Sequence, residues 1–238
     1  MGTKFSTRVW VSVVGIASIF WGSKGYADTV ISVADFGLKP DTRENAVAYV
    51  QKAIEACRGK EPVTLVFPEG RYDFWPQYAH EKNYYETNTY DVFPKRLAML
   101  FEGLHNITVD GNGSQFIMHD RIQPITVENC DGVTLKNFSI DWDIPLTAQA
   151  RVTKVGSDFF EIEINVLESP YIIEDGKLVF VGEGWKSALG SMIEFESDTH
   201  FVVPGTGDLV LGRNWRDYTA VSPRYGIVRL SRKGGFER

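Results

Sequence analysis

The sharpest chemical feature of the 238-residue chain is the run Ser139-Ile140-Asp141-Trp142-Asp143. A strand that buries Phe138, Ile140 and Trp142 turns Asp141 and Asp143 to the opposite face, with their carbon positions roughly 6.5–7 Å apart. The acid and base of inverting glycoside hydrolysis stand roughly 6.5–9.5 Å apart, so the pair has the spacing for that chemistry. Two solvated strand aspartates, or a turn cap ahead of Pro145, account for the same residues equally well. A pair on one strand also has difficulty reaching opposite faces of one sugar ring, which suits Asp141 and Asp143 to a supporting place in a pocket.

The second feature is the aromatic segment RYDFWPQYAHEKNYYETNTYDVFPKR. Aromatic faces stack on the apolar face of a sugar, and neighbouring amide and carboxylate groups bond its hydroxyls. Trp75, Tyr84, Tyr85, Glu86 and Asn88, with Trp142 from the later strand, are the candidate binding residues. Padding of a core by the same rings is the competing reading. His105, His119 and His200 lie in no recognisable nucleophile or ligand pattern and read as structural. No His/Cys cluster has metal-ligand spacing, so neither a metal nor another cofactor is expected. Gly111-Asn112-Gly113 reads as a turn, because the flanking strands are too short for a phosphate-binding unit.

The elements that would position these groups fall into three parts. A charged start with Lys4 and Arg8, an apolar run from Val9 to Trp21 and the small-residue site Gly25-Tyr26-Ala27 form an export signal over residues 1–27, too short to span a bilayer. The expected location is therefore secreted or periplasmic, with no membrane partner after cleavage. Without Lys4, Arg8 and Lys24, 22 basic residues face 31 acidic ones, a net charge near −9 that argues against nucleic acid.

Residues 28–145 open with a strand at Val30–Val33 and a helix from N-caps at Asp41 or Thr42 to Cys57. Its apolar face is Ala46, Val47, Val50, Ala53, Ile54 and Cys57. A strand at Val63–Phe67 follows. This arrangement suits a helix that caps a stack of strands, and an ordinary βαβ unit is the alternative. From Leu100 to Asp143 the period is two, in short strands whose two copies overlay with Val109 on Leu135, the mark of stacked repeats.

Residues 146–231 read as an inserted small antiparallel β-barrel or sandwich. It has a hairpin at Ala150–Val155 and Phe159–Ile164, then strands at Leu178–Val181, Met192–Phe195, Phe201–Val203 and Ile227–Leu230. Cys57 and Cys130 lack framework spacing and are expected as free thiols. The fold expected is all-β: a right-handed parallel β-helix with an N-terminal capping helix and the inserted barrel.

The stretches VADFGLKPDTRENAVAYVQKAIEAC and VTLVFPEGRYDF resemble the N-terminal entry of the polygalacturonases and related β-helix glycosidases. KNYYETNTYDVFPKRLAML, ITVDGNGSQFIMHDRIQPITVENCDGVTLKNFSIDWDIPLTAQA and VPGTGDLVLGRNWRDY resemble glycoside hydrolase family 110. The resemblance covers most of Val30 to about Arg232, and NFSIDWDIPLTAQA is its most specific block. It implies an exo-acting α-1,3-galactosidase that inverts at the anomeric carbon, takes terminal α-galactosyl glycans and uses no metal. Members are much longer than 238 residues, their catalytic carboxylates belong to later rungs, and residues 232–238 do not match. The chain is therefore expected to be an N-terminal portion, weak or inactive alone. A non-catalytic carbohydrate-binding segment is one alternative. A pectin-acting β-helix hydrolase or lyase is another, which the acidic charge disfavours.

Overall fold

The computed structural model describes residues 29–84, 94–204 and 218–232. The export signal and the candidates Tyr85, Glu86 and Asn88 lie outside them, as do all but the first residue of the 232–238 segment. The described residues are mostly strand, with one α-helix.

The first unit is built on parallel ladders. Strands β1 (Thr29–Ser32), β2 (Val63–Val66) and β6 (His105–Met118) pair in parallel, as do β3 (Arg71–Phe74) and β6. Strand β8 (Asp131–Trp142) then pairs along both halves of β6, with Val109 opposite Leu135. On a second face β5 (Lys95–Glu102) pairs in parallel with β7 (Gln123–Glu128), and β4 (His80–Lys82) adds antiparallel to β5. Alternate residues of each strand point the same way, so parallel register stacks like positions into columns. One column is Val63, Ile107 and Val133; another is Tyr72, Phe116 and Ile140; a third is Phe74, Met118 and Trp142. The Phe116 ring stands 4.7 Å from Phe67 and 4.8 Å from Phe138, centroid to centroid.

Gly111-Asn112-Gly113 is the corner where this column system bends. The turn expected here lies within one rung: the strand runs on through it, with Asn112 at φ 49° and Gly113 at φ 83°. The partner register jumps between Asp110 and Ser114. A Cβ on Gly111 would lie 2.5 Å from Phe138 Cβ, so only glycine lets the next layer close at this corner.

Helix α1 (Val47–Cys57) buries Val47, Val50, Ala53, Ile54 and Cys57 against the end of the stack, the face read from the periodicity. Its expected caps are corrected. Ala46 stands at the N-cap without a side-chain bond, while Asp41 adopts φ 61° and accepts the Arg71 N–H instead. Asn45 Oδ1 takes the free Val47 N–H in their place. Cys57 and Cys130 are free, as expected, and burial pushes the Cys57 thiol up to about 11.

The far edge of the stack differs from its interior. Ile107 and Val109 are fully buried, whereas Leu135 and Ile140 in β8 remain 39% and 38% exposed. The expectation that β8 buries Ile140 fails because no further strand lies over β8 among the described residues.

The segment expected as an insertion is antiparallel. Strands β9 (Ala150–Val155) and β10 (Phe159–Ile164) form the expected hairpin, which joins β15 (Ile227–Ser231) and β14 (Thr219–Arg224). A second sheet holds β11 (Tyr171–Glu174), β12 (Lys177–Gly182) and β13 (Trp185–Ala188). Phe160, Ile162, Leu178, Val228 and Leu230 form its core. The strands expected at Met192–Phe195 and Phe201–Val203 are not formed. Only a single bridge, Phe195 to Val202, joins those segments, and Phe201 is exposed, so neither has the buried alternate face that holds a strand in a sheet.

Candidate functional site

Parallel register carries its columns past the ends of the strands. His119 N–H donates to Phe74 O at 2.9 Å and Asp143 N–H to Met118 O at 3.1 Å, so Trp75, His119 and Asp143 form the next column. Arg71 and Asp73, two apart on β3, share the outward face beside them.

Asp73 is the centre of this group and is 1% exposed. Its Oδ1 accepts from Arg71 Nη2 at 2.6 Å and lies 2.8 Å from His119 Nε2. Burial pushes the carboxyl up, but the bonds from Arg71 and His119 outweigh it and hold Asp73 below the usual carboxylate range. Arg71 Nη2 also donates to Asp143 Oδ1 at 2.8 Å, and Arg43 stands 3.7 Å from the same oxygen. The hydrogen bond to Asp73, ahead of that to Asp143, keeps the Arg71 guanidinium above its ordinary range. His119 is 3% exposed, and its Nδ1 is 2.6 Å from Glu183 Oε2, a carboxylate contributed by the insertion.

The Trp75 ring stacks on His119 at 3.8 Å and 11°. Its backbone is fixed from the start of α1: Asn45 Oδ1 accepts the Trp75 N–H at 3.3 Å, and Asn45 Nδ2 donates to Gln77 O at 2.9 Å. Trp75 then forms the wall of a cleft of about 470 Å³ with Pro76, Gln77, Tyr78, Ala79, Glu81, Arg96 and Asp120. One aromatic face, an amide and several charged groups around an open cleft are the parts that hold a polyhydroxylated ring.

The predicted residues are distributed unevenly. Trp75 is in the cleft wall. Trp142 stands one layer from it, its indole N–H donating to Asp120 O at 3.2 Å. Tyr84 is elsewhere: its hydroxyl donates to Glu128 in a cluster with Lys82 and Glu102 on β4, β5 and β7. Lys82, then Tyr84, holds the Glu128 carboxyl below its ordinary range. Tyr72 and Phe74 are core residues, which assigns part of the aromatic segment to padding. Asp143 is committed to Arg71, and Asp141 accepts the adjacent Trp142 N–H at 2.8 Å. Asp143 joins the buried cluster through Arg71, whereas the Asp141 carboxylate turns back to its neighbour on β8.

Asp73, Asn45 and Glu183 carry no local signal in the sequence, and His119, expected to be structural, is a buried link between Asp73 and Glu183. The overlay of Val109 on Leu135, continued at the same offset, would set His119 on Pro145; the two-residue register shift between Asp110 and Ser114 brings it to Asp143 instead, so the overlay alone does not reveal the pairing. The side chains of His119, Asp143 and Glu183 lie close enough to share a cation. Arg71 already occupies Asp143 at 2.8 Å, and the geometry is that of an ion-pair network.

Parallel columns, an antiparallel unit and one α-helix make the described residues a predominantly β structure. Residues 148–237 match the model of the GLAA-B beta-barrel domain I, a match that runs over most of the segment set apart at 232–238. The chain is 58% identical over 205 residues to an alpha-1,3-galactosidase B of Bacteroides thetaiotaomicron, covering 86% of this chain and 33% of that protein. It is 37% identical to an alpha-1,3-galactosidase B of Phocaeicola vulgatus, over 84% of this chain and 32% of the relative. With an alpha-1,3-galactosidase A of Shewanella woodyi it shares 35% identity, over 70% and 28%. The chain is similar to these alpha-1,3-galactosidases, in line with the resemblance seen in its sequence motifs, and spans about a third of their length.

Proposed function

We propose that the chain is the substrate-recognition portion of an exported α-1,3-galactosidase and binds terminal α-galactosyl groups in the Trp75 cleft. The observation that carries this reading is the half-buried Trp75 ring, pinned by Asn45 and backed by His119, at the wall of an open cleft. A ring fixed on both sides loses little entropy when a sugar stacks on it. The scaffold is read as a right-handed parallel β-helix over residues 28–145 with a barrel inserted at 146–231. Parallel ladders and stacked apolar columns support this. The names of the relatives support galactose as the sugar.

Inverting hydrolysis needs a proton donor at the leaving oxygen and a base that holds water on the opposite face. Asp143 is held by two arginines and is poorly placed as a free base, and Asp141 stands on the same segment. The acid and base are assigned outside this chain, with Asp141 and Asp143 in supporting places. The arginine pairing of Asp143 favours, as a second reading, binding without turnover. The test is to express the chain, determine where it is exported and cleaved, and assay both binding and galactose release with an α-1,3-linked galactoside. Binding lost in Trp75→Ala, with little or no release, is the expected result. Turnover abolished by Asp141→Asn or Asp143→Asn would instead make that pair catalytic, and binding unchanged in Trp75→Ala would refute the cleft.

A further inference from the structure

We infer that the β12–β13 hairpin braces the wall of the glycan site from behind, with Glu183 as the positioning residue that sets Trp75 through His119. The inference rests on the galactoside-binding reading of the Trp75 cleft.

The hairpin closes at the pair Gly182 and Trp185, which leaves Glu183 and Gly184 as its tip. The two tip residues and Trp185 after them meet three consecutive residues of the first unit. Glu183 Oε2 lies 2.6 Å from His119 Nδ1. A Cβ on Gly184, which has φ 78°, would come within 2.5 Å of Asp120 Oδ2, so glycine is needed both for the turn and for the approach. The Arg121 guanidinium stands over the Trp185 ring at 5.7 Å. Such one-to-one matching is what a specific docking contact requires, and it falls on the corner that supplies Asp120 to the cleft.

His119 itself is too buried to meet a ligand. It is held between Asp73 and Glu183 and presents its face to Trp75, so movement of the Glu183 carboxylate is transmitted to the ring at the cleft. The cleft lining indicates the class of ligand. Arg96 is paired with Glu81 at 3.4 Å, and Asp120 adds negative charge, so the cleft favours a neutral sugar over a uronate.

The test uses the full chain labelled with 5-fluorotryptophan, with the Trp75 resonance assigned by Trp75→Phe and α-1,3-linked galactobiose as the probe. Glu183→Gln is expected to shift the Trp75 resonance of the free protein and to weaken galactobiose binding about tenfold, the equivalent of one charge-assisted hydrogen bond. Lys186→Gln on the same hairpin, which breaks only the exposed pair with Glu174 of β11, is expected to change neither. Glu183→Asp, which keeps the charge and shortens the reach, is expected to move both readings in the same direction by less. A Trp75 resonance and an affinity that stay at their original values in Glu183→Gln and Glu183→Asp would overturn the inference, as would a shifted resonance with unchanged affinity. A wild-type Trp75 resonance that ignores galactobiose but responds to Glu183→Gln would refute the sugar site while upholding the coupling of Glu183 to Trp75.

Discussion

The Asp73 network and the surface pairs of the antiparallel unit handle charge in opposite ways. In the first unit, Asp73 and His119 are almost wholly buried and joined to Arg71 and Asp143 in one network. In the insertion, pairs such as Arg151 with Glu163 and Lys186 with Glu174 lie largely in water around an apolar core. A buried charge depends on its partners, because losing one leaves the other desolvated and unpaired. A surface pair can be lost to solvent at little cost. The expensive arrangement stands beside the cleft, where fixed geometry is useful for recognition.

The largest effect expected from this contrast is at Asp73. Asp73→Ala removes the partner of both Arg71 and His119 and is expected to cost about 3–5 kcal/mol in unfolding free energy, measured by urea denaturation. Acid should act the same way more gradually. Asp73 has a folded value below its unfolded one, so its contribution is present above the ordinary carboxylate range near pH 4 and is lost as pH falls through the depressed folded value. Unfolding free energy followed down to pH 2.5 should fall less steeply in Asp73→Asn than in the parent. Equal slopes would show that the network is not what acid breaks.

Burial sharpens the comparison within the first unit. Phe116 is fully buried between Phe67 and Phe138, and Phe116→Ala is expected to cost about 3–5 kcal/mol. Leu135 occupies the next layer from buried Val109 but is 39% exposed, so Leu135→Ala is expected to cost only about 1 kcal/mol. Similar costs at the two positions would mean that β8 is covered in solution, and would correct the burial seen at this edge.

Local patterns made much of this fold legible. The face of α1, the alternation through β6 and β8, the Ala150–Val155 hairpin and the overlay of Val109 on Leu135 each depend on residues close in sequence or on one repeated spacing. The site was less legible because its contacts are long-range. Asp73 and His119 are 46 residues apart, and His119 and Glu183 are 64 apart in different units. Trp75 could be picked out because aromatic density is a local signal. Glu183 could not, since nothing in Gly182-Glu183-Gly184 tells a docking tip from an ordinary hairpin turn. Asp141 and Asp143 show the limit of spacing arguments. Both are exposed on one segment as expected, yet only Asp143 meets Arg71, an arrangement set by the pairing of β3, β6 and β8.

The smallest effect is expected where the insertion's charges are exposed. Arg151 and Glu163 face each other across β9 and β10, with the Arg151 side chain 76% exposed. Such a pair gains little in water, loses side-chain entropy when it forms and is screened by salt. Arg151→Ala is expected to change unfolding free energy by no more than about 0.5 kcal/mol, and 0.5 M salt should remove most of that difference. The ring contacts nearby offer a check, because Lys154 and Arg229 lie over Phe159 at 5.6 and 4.6 Å and would keep the hairpin in register without Arg151. A salt-independent loss above about 2 kcal/mol in Arg151→Ala would place the insertion's ion pairs in the same class as the Asp73 network. The contrast between the network and the surface pairs would then lie in exposure alone, not in the energy that the charges contribute.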